Sequence, residues 1–574
     1  MKLNLFIARG DKRGRIMHVL RRLGPTWAAS PVRRIAQGLC LAGFAVLFFY
    51  VSWPYWGRLY SETLAAKEWV DAEILLTMDP LVSVSTAISA RTWVWSLAAA
   101  GATLVVCLVI LRGFCGYVCP LGTFLDVFDR ALGRRMPRFH IKRRKWWVNL
   151  RYFILVAVLI SAVFGVLLSG YVSAIAVWTR AMLLMAGPVQ MGLLKGWYLV
   201  PPMNVGQWIS LALFGGIIGM GLLERRFWCK YLCPTGAVFS LGALLSFTQR
   251  KVSTDCVSCG QCETVCDFGA IREDFSTRHS RCSFCQSCGG VCPVGAIEFT
   301  DRWSNAGQKP PPVDAAVTCS RRSLLAGLGT ATTAGVGLAV AIGTGAAGAP
   351  AVRPPGSVPE EAFLQLCVRC GQCIKVCPNN VLQPAGLENG FNGLWAPRVV
   401  ADWSGCEPNC NNCGQVCPTA AIRALPLAEK QATRMALAVV DKQTCLPYAG
   451  RKACRYCVDE CTAAGYEAIE FIRVGGQVDE TGRPIDGSGF VAPAVLKEKC
   501  VGCGLCQMRC RVMNVKNEHL LVGSAIVIQA GPGREDRMFS GSYVELRRTG
   551  QNSPPETADK TNAPIDDYLP DFLR

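Results

Sequence analysis

Of the 31 cysteines in this chain, 24 fall into six groups of four, and no other feature limits the fold so tightly. CVSCGQCETVC holds Cys256, Cys259, Cys262 and Cys266, and CSFCQSCGGVCP holds Cys282, Cys285, Cys288 and Cys292. Four more groups follow further on. CVRCGQCIKVCP carries Cys367, Cys370, Cys373 and Cys377, and CEPNCNNCGQVCP carries Cys406, Cys410, Cys413 and Cys417. A looser group, Cys445, Cys454, Cys457 and Cys461, has an eight-residue insert after its first member. CVGCGLCQMRC closes the series with Cys500, Cys503, Cys506 and Cys510.

Cys-x2-Cys-x2-Cys-x3-Cys is the spacing that binds [4Fe–4S] clusters. Three thiolates on one tight loop grip three irons, and the fourth, opening the next helical turn, reaches the partner cluster. In the first pair this assigns Cys256, Cys259, Cys262 and Cys292 to one cluster and Cys266, Cys282, Cys285 and Cys288 to the other. Six groups imply about six clusters, with iron as the metal. Among the later four groups, pairing of first with second and of first with fourth both remain open. Gly260, Gly289, Gly371, Gly414 and Gly504 are expected to let the backbone pass close to the clusters. GAI at 269–271 and 295–297 and AAI at 420–422 are expected to pack on them. Zinc sites pair two Cys-x2-4-Cys knuckles, which these repeated triplets do not resemble.

The remainder of the chain is of a different kind. Only 18% of all residues are charged, and four apolar runs reach the length of a hydrocarbon core of about 30 Å: Ile35–Trp53, Trp93–Leu111, Tyr152–Leu168 and Trp208–Leu223. Residues 1–34 carry nine Lys/Arg and one acid, and residues 112–151 carry ten, including KRRK at 142–145. By contrast 54–91 carries three basic and five acidic residues, and 169–205 only two basic ones. The positive-inside rule therefore puts the N-terminus, the 112–151 loop and the chain after Leu223 in the cytoplasm of a bacterial inner-membrane protein. Trp53, Tyr55, Trp56, Trp93, Trp95, Trp146, Trp147 and Trp208 fit interfacial belts. The net charge of +19 does not point to nucleic acid. Residues 1–253 hold 29 Lys/Arg against nine acids, whereas 254–574 hold 31 against 32, so all the excess lies in the apolar half.

Two similar stretches follow the second and fourth runs: RGFCGYVCPLGTFLD (112–126) and RRFWCKYLCPTGAVF (225–239). Each is aromatic-Cys-x3-Cys-Pro with a Gly three residues after the second Cys. The repeat suggests two pseudo-equivalent helix pairs. It makes Cys115, Cys119, Cys229 and Cys233 redox candidates, either as thiols or as ligands of a further metal or cluster. Cys40 and Cys107, inside spans, read as packing.

Residues 318–350, TCSRRSLLAGLGTATTAGVGLAVAIGTGAAGAP, look like a twin-arginine export signal placed mid-chain. Clusters are assembled in the cytoplasm, so a cluster-bearing domain must cross already folded, which is what such a signal serves. If 324–349 forms a fifth segment, the last four groups lie outside. Pro350 disfavours cleavage after Ala347-Gly348-Ala349, and an uncut anchor is expected. No Cys-x2-Cys-His haem motif, Walker A loop or HEXXH site is present. The chain has only four His, which argues against a bis-His haem in the spans.

The expected fold is multidomain: an all-α membrane unit of four spans plus a fifth twin-arginine segment, with α+β ferredoxin-like iron–sulfur domains. Its parts are a basic cytoplasmic N-terminus (1–34), the membrane domain (35–253), a two-cluster ferredoxin domain (254–300), a Pro-rich linker (301–317) and the signal or anchor (318–350). A four-cluster ferredoxin domain (351–525) and a partly disordered extension (526–574) complete the chain.

On these motifs, residues 30–300 resemble NapH/MauN-type membrane ferredoxins: four spans, Cys115-GYV-Cys119-Pro120 and Cys229-KYL-Cys233-Pro234, then two cluster motifs. Residues 318–525 are similar to NapG/MauM-type exported ferredoxins, with a twin-arginine leader and four cluster motifs. The fusion into one chain departs from both. The resemblance implies a quinol dehydrogenase module of a respiratory chain. Electrons would come from the membrane quinol pool. They would pass to a periplasmic reductase of the nitrate-reductase kind or to a c-type cytochrome, with membrane lipid around the spans and no nucleic acid. The quinol site is expected between spans near the apolar outer loop 171–205. NosR and the assembly factor CcoG also carry Cys-x3-Cys-Pro, so the rival reading is a maturation factor for another metalloenzyme, with those four thiols as the working groups.

Overall fold

A computed structural model describes residues 29–51, 59–68, 70, 74–133, 149–303, 321–343, 350–475 and 489–549. The basic run 142–145, the linker around 308–314, Cys319, the Ala347–Ala349 stretch and the tail beyond Thr549 lie outside the described residues. The chain forms two compact units. One comprises Met1–Tyr50, Ile74–Ala181 and Ser210–Ala341; the other comprises Val51–Glu73, Met182–Ile209 and Ile342–Arg574.

Among the described residues four helices are long and apolar enough to cross a membrane: Pro31–Tyr50, Ala174–Leu194, Val205–Leu222 and Leu324–Gly343. The first, third and fourth fall on expected segments. The second corrects the sequence reading, which treated 171–205 as an apolar outer loop. In the structure Arg180 is buried, and its guanidinium donates to the carbonyls of Gly170 (2.5 Å) and Tyr171 (3.3 Å). The charge is thus satisfied by the preceding turn, and Pro188 sits inside the helix. The expected spans 93–111 and 152–168 are shorter helices, Ser96–Val109 and Leu150–Val163, of 14 residues each. At 1.5 Å per residue such a helix reaches about 21 Å, less than a hydrocarbon core. Trp93, Trp95 and Trp208 are exposed, as belt residues must be.

In the first unit the helix Arg321–Gly343 packs its small residues on Leu150–Val163. A side chain at Gly327 would strike Phe153, and one at Gly335 would come within 2.9 Å of the Ala157 carbonyl. The Ser161 hydroxyl donates to the Gly335 carbonyl (3.1 Å). This close approach of small residues is how helices associate without a hydrophobic driving force between them. The same unit contains the first ferredoxin-like module. Strands β1 (Thr248–Val252) and β2 (Ile297–Asp301) pair antiparallel, Thr248 opposite Asp301, and enclose both cysteine loops. The closing strand therefore begins ahead of residue 254.

Among its described residues the second unit has three antiparallel strand pairs. β3 (Leu382–Pro384) pairs with β4 (Pro397–Val399), β5 (Leu437–Val440) with β8 (Ile526–Gln529), and β6 (Ile469–Val474) with β7 (Phe490–Val495). The β6–β7 hairpin is nested inside β5–β8, so the second half of this domain repeats the framing of the first module. β8 lies beyond residue 525, so the described part of the C-terminal extension is folded into the domain. Ser542 and Tyr543 also donate to the Glu429 carboxylate, both at 2.6 Å, and Tyr543 is fully buried.

Candidate functional site

The two Cys-x3-Cys-Pro repeats fold alike. Each starts at an arginine in the left-handed region, Arg112 (φ 48°) and Arg226 (φ 52°). One wide helical turn follows, Phe114–Val118 and Trp228–Leu232. The N–H of the second cysteine closes it by donating five residues back, Cys119 to Phe114 and Cys233 to Trp228, both at 2.9 Å. Pro120 and Pro234 then open helices Pro120–Phe128 and Pro234–Gly242, at a position where no N–H is needed.

The repeats also interlock. The Arg226 guanidinium donates to the carbonyls of Cys115 (3.1 Å) and Gly122 (3.0 Å). A Cβ at Gly122 would sit 3.3 Å from it, and a Cβ at Gly236 would sit 3.3 Å from the Arg112 guanidinium. Each motif's glycine is small because the other motif's arginine lies on it. Cys115, Cys119, Cys229 and Cys233 are within electrostatic reach of one another, so all four candidates share one layer.

Arg226 grips Asp126 with two bonds, of 2.6 and 2.8 Å, and Arg34 (2.7 Å) and Arg33 (3.3 Å) join from the first helix. Burial alone would raise the Asp126 carboxyl, but Arg226 and then Arg33 hold it well below the usual carboxylate range. Arg33 also reaches Asp267 (3.3 Å). Next to Asp267 the Phe268 ring lies 4.6 Å from the Arg226 guanidinium carbon, 5.6 Å from that of Arg112 and 5.9 Å from that of Arg33. Tyr117 donates to the Phe284 carbonyl (2.9 Å) and Ser30 to that of Cys285 (2.7 Å). The first ferredoxin-like module is therefore seated directly on the Cys-x3-Cys-Pro layer. Asp79, one of the five acids the sequence reading counted in 54–91, is fully buried. It accepts from Ser173 (2.6 Å), Thr235 (3.3 Å) and the Leu81 amide (3.0 Å).

In that module Cys266 lies beside Cys282, Cys285 and Cys288. Cys262 lies beside Cys256, Cys292 packs on the same core, and Cys259 is exposed. In the second unit Cys373 faces Cys367, Cys370 and Cys417, and Cys413 faces Cys377, Cys406 and Cys410. A cavity of about 360 Å³ is lined by Cys445, Cys454, Cys457 and Cys510. Another, of about 340 Å³, is lined by Cys461, Cys500, Cys503 and Cys506. The first group thus exchanges its fourth cysteine with the second, and the third with the fourth. No local signal in the sequence could rank these pairings.

The two halves of this domain meet at their ligand loops. The Cys406 amide donates to the Cys503 carbonyl (2.8 Å), Gln507 to the Asp402 carboxylate (2.7 Å), and side chains at Gly405 and Gly504 would strike Leu505 and Ala401. The four quartets consequently follow one order: the Cys367 set, the Cys406 set, the Cys503 set, the Cys457 set.

The residues present suit iron–sulfur cubanes. Four ligand loops alternate left-handed residues two and four places after their first cysteine: Ser258 and Gly260, Phe284 and Gln286, Arg369 and Gly371, Gly502 and Gly504. Such alternation turns successive amides inward, a concavity for an anionic group. Gln286 takes the place where a glycine was expected; Gly289 and Gly414 instead lie in the short helices Ser287–Val291 and Asn412–Gln415. Among the described residues no three Cys, His, Asp or Glu side chains converge on a single-ion site. Two of the quartets surround cavities instead. Burial pushes the Cys457 and Cys503 thiols up to about 12, so metal must displace their protons on binding.

Comparison with known proteins agrees with this geometry. A 4Fe-4S binding domain model matches residues 92–139 and again 207–253, the two Cys-x3-Cys-Pro repeats. A second 4Fe-4S binding domain model matches 251–272, and a 4Fe-4S dicluster domain model matches 366–421. The chain is 36% identical over 167 residues to the methylamine utilization ferredoxin-type protein MauM of Methylorubrum extorquens, covering 29% of this chain and 70% of that protein. It is 36% identical over 162 residues to the ferredoxin-type protein NapG of Escherichia coli, covering 28% of this chain and 65% of NapG. Over 291 residues it is 28% identical to the ferredoxin-type protein NapH of Haemophilus influenzae, covering 47% of this chain and 90% of NapH. No solved structure matches.

Proposed function

We propose, from a chain that belongs to the NapG/MauM ferredoxin-type family and joins to it a NapH-like membrane half, a relay that moves electrons from membrane quinol to an acceptor outside. The acceptor would be a periplasmic reductase of the nitrate-reductase kind or a c-type cytochrome. The observation that carries this reading is the single file of four cysteine quartets joined at Cys406 and Cys503. Bound there, [4Fe–4S] clusters supply one-electron relay over a wide range of potentials. The proposed ligand sets are those the structure gathers, with the fourth cysteine of each group exchanged.

The protein's own residues do three things in this scheme. The curled loops present amides to the clusters, the apolar cavity walls exclude water from them, and the glycine seam keeps adjacent loops in contact. The grouping of the two units supports one topology. Residues 59–68 and 195–204, within the segments that charge places outside, group with the C-terminal ferredoxin domain, and residues 112–133, the start of the basic segment, group with the first module. This supports a periplasmic C-terminal domain, carried across by the twin arginine Arg321-Arg322, and a cytoplasmic first module. The test uses sealed vesicles containing the full chain, a menaquinol analogue, and EPR. The expected result is reduction of several [4Fe–4S] signals by the quinol. Zinc in place of iron and sulfide, or clusters that stay oxidised, would overturn the reading.

A further inference from the structure

The second unit holds a cavity of about 650 Å³ whose two walls differ in chemistry. One wall is the C-terminal half of helix Ala174–Leu194, with Leu184, Gly187, Pro188 and Met191 facing in. The other is the helix Gln372–Lys375 and the chain after it, where Ile374, Lys375, Asn380 and Gln383 face in. Ile374 and Lys375 stand between Cys373 and Cys377, members of two adjacent quartets. The cavity floor is therefore the ligand loop itself. Contacts fix the walls to each other: Leu183 lies on Gly371, Lys375 donates to the Gln190 side chain, and Asn380 donates to the Leu199 carbonyl (2.8 Å).

We infer that this cavity is where the quinol ring binds, with Gln383 and Asn380 at its polar end and the 184–191 helix face along its apolar side. The inference rests on the quinol reading above and gives it an address. The cavity lining is apolar with a few convergent amides, which suits a ring bearing two hydroxyls and an isoprenoid tail. A phospholipid headgroup would ask for a cluster of cations, and Lys375 is the one cation in the lining. Pro188 has no N–H to give the Leu184 carbonyl one turn back, so an acceptor on the apolar wall lacks its usual helical donor. Oxidation at this place balances simply. One quinol would lose two electrons, one to each of the two clusters that Cys373 and Cys377 of the bordering loop would help to hold, and its two hydroxyl protons would leave to water as the quinone forms.

The test has a structural and a binding arm, both on the full cluster-loaded chain in nanodiscs. An azido-quinone is photolysed on the protein and the labelled peptides are mapped by mass spectrometry. Labels are expected within 183–207 or 374–384. In the second arm, 2-heptyl-4-hydroxyquinoline N-oxide is titrated by fluorescence quenching. Gly187→Leu places a branched side chain in the cavity; a Cβ there meets only Leu183, at 3.5 Å. It is expected to weaken binding at least tenfold with iron content unchanged, and Gln383→Leu about threefold. Labels elsewhere, or Gly187→Leu binding as tightly as the parent while quinol still reduces the clusters, would overturn the cavity and leave the quinol reading standing. An unmodified chain that neither binds the inhibitor nor accepts electrons from quinol would overturn both. Should Gly187→Leu fail to fold, the label map on the unmodified chain decides.

Discussion

The two ferredoxin-like regions use the same loop and surround it differently. In the first module, residues 248–303, Cys259 is exposed and Gly260 faces open space. This module is held by a charged bed, with Phe268 ringed by Arg33, Arg112 and Arg226, and Asp126 beneath. In the C-terminal domain Cys367, Cys370, Cys373 and Cys377 are all buried, and Gly504, at the position equivalent to Gly260, is pressed on Ala401. The ligand motif fixes the loop in both cases. What lies against the loop decides whether it is a terminus or an internal link.

The largest expected effect lies in the charged bed. Asp126→Asn leaves three buried guanidiniums without their shared carboxylate and should cost about 3–5 kcal/mol. It would be read as loss of iron from the first module and faster proteolysis there, with the C-terminal domain intact. Next comes the paired comparison of equivalent glycines. Gly504→Ala should cost about 2–4 kcal/mol, from a forced left-handed alanine plus overpacking. Gly260→Ala should cost about 1 kcal/mol, from conformation alone. Denaturant midpoints of the iron-loaded chain check both, and equal costs would dissolve the distinction drawn here. Third, in the metal-stripped chain Cys259 should react with iodoacetamide about tenfold faster than Cys373, measured by peptide mass spectrometry, because the latter is buried.

The smallest effect is one of pH. Burial would raise the Glu360 carboxyl, but hydrogen bonds from Arg353 and the charges of Arg353 and Arg537 lower it. A depressed carboxylate stabilises the fold above its unfolded pKa, and that contribution fades as pH falls through the folded value, below the ordinary carboxylate range. Because the side chain is 41% exposed, the loss should be slight. Glu360→Gln should flatten the acid limb of the thermal-midpoint curve for the C-terminal domain.

Much of this was legible in the residue order because cluster ligation is a local affair. The six groups and the repeated aromatic-Cys-x3-Cys-Pro-x-Gly unit are written within short stretches, whereas the arginine that opens each repeat stood out only once the structure laid it on the other repeat's glycine. Pairing among the four later groups was not, because it depends on contacts such as Cys461 with Cys500 and Cys457 with Cys510, tens of residues apart. Helix Ala174–Leu194 was hidden by Arg180 and Pro188, whose usual meaning is reversed once Gly170 and Tyr171 supply carbonyls. The burial of Asp79 was likewise not legible: an acid between apolar segments normally faces water, and only Ser173 and Thr235 reveal that this one does not.

The crossing at Cys406 and Cys503 also bears on how the domain would behave as a conductor. Four quartets in file with one junction would, once each held a cluster, act in series beyond the point where electrons enter, so a single slow gap there would set the current. A lesion at either of the last two stations would look the same from the far terminal. Telling lesions apart would require reading each station's charge state in place, since throughput alone carries no information about position.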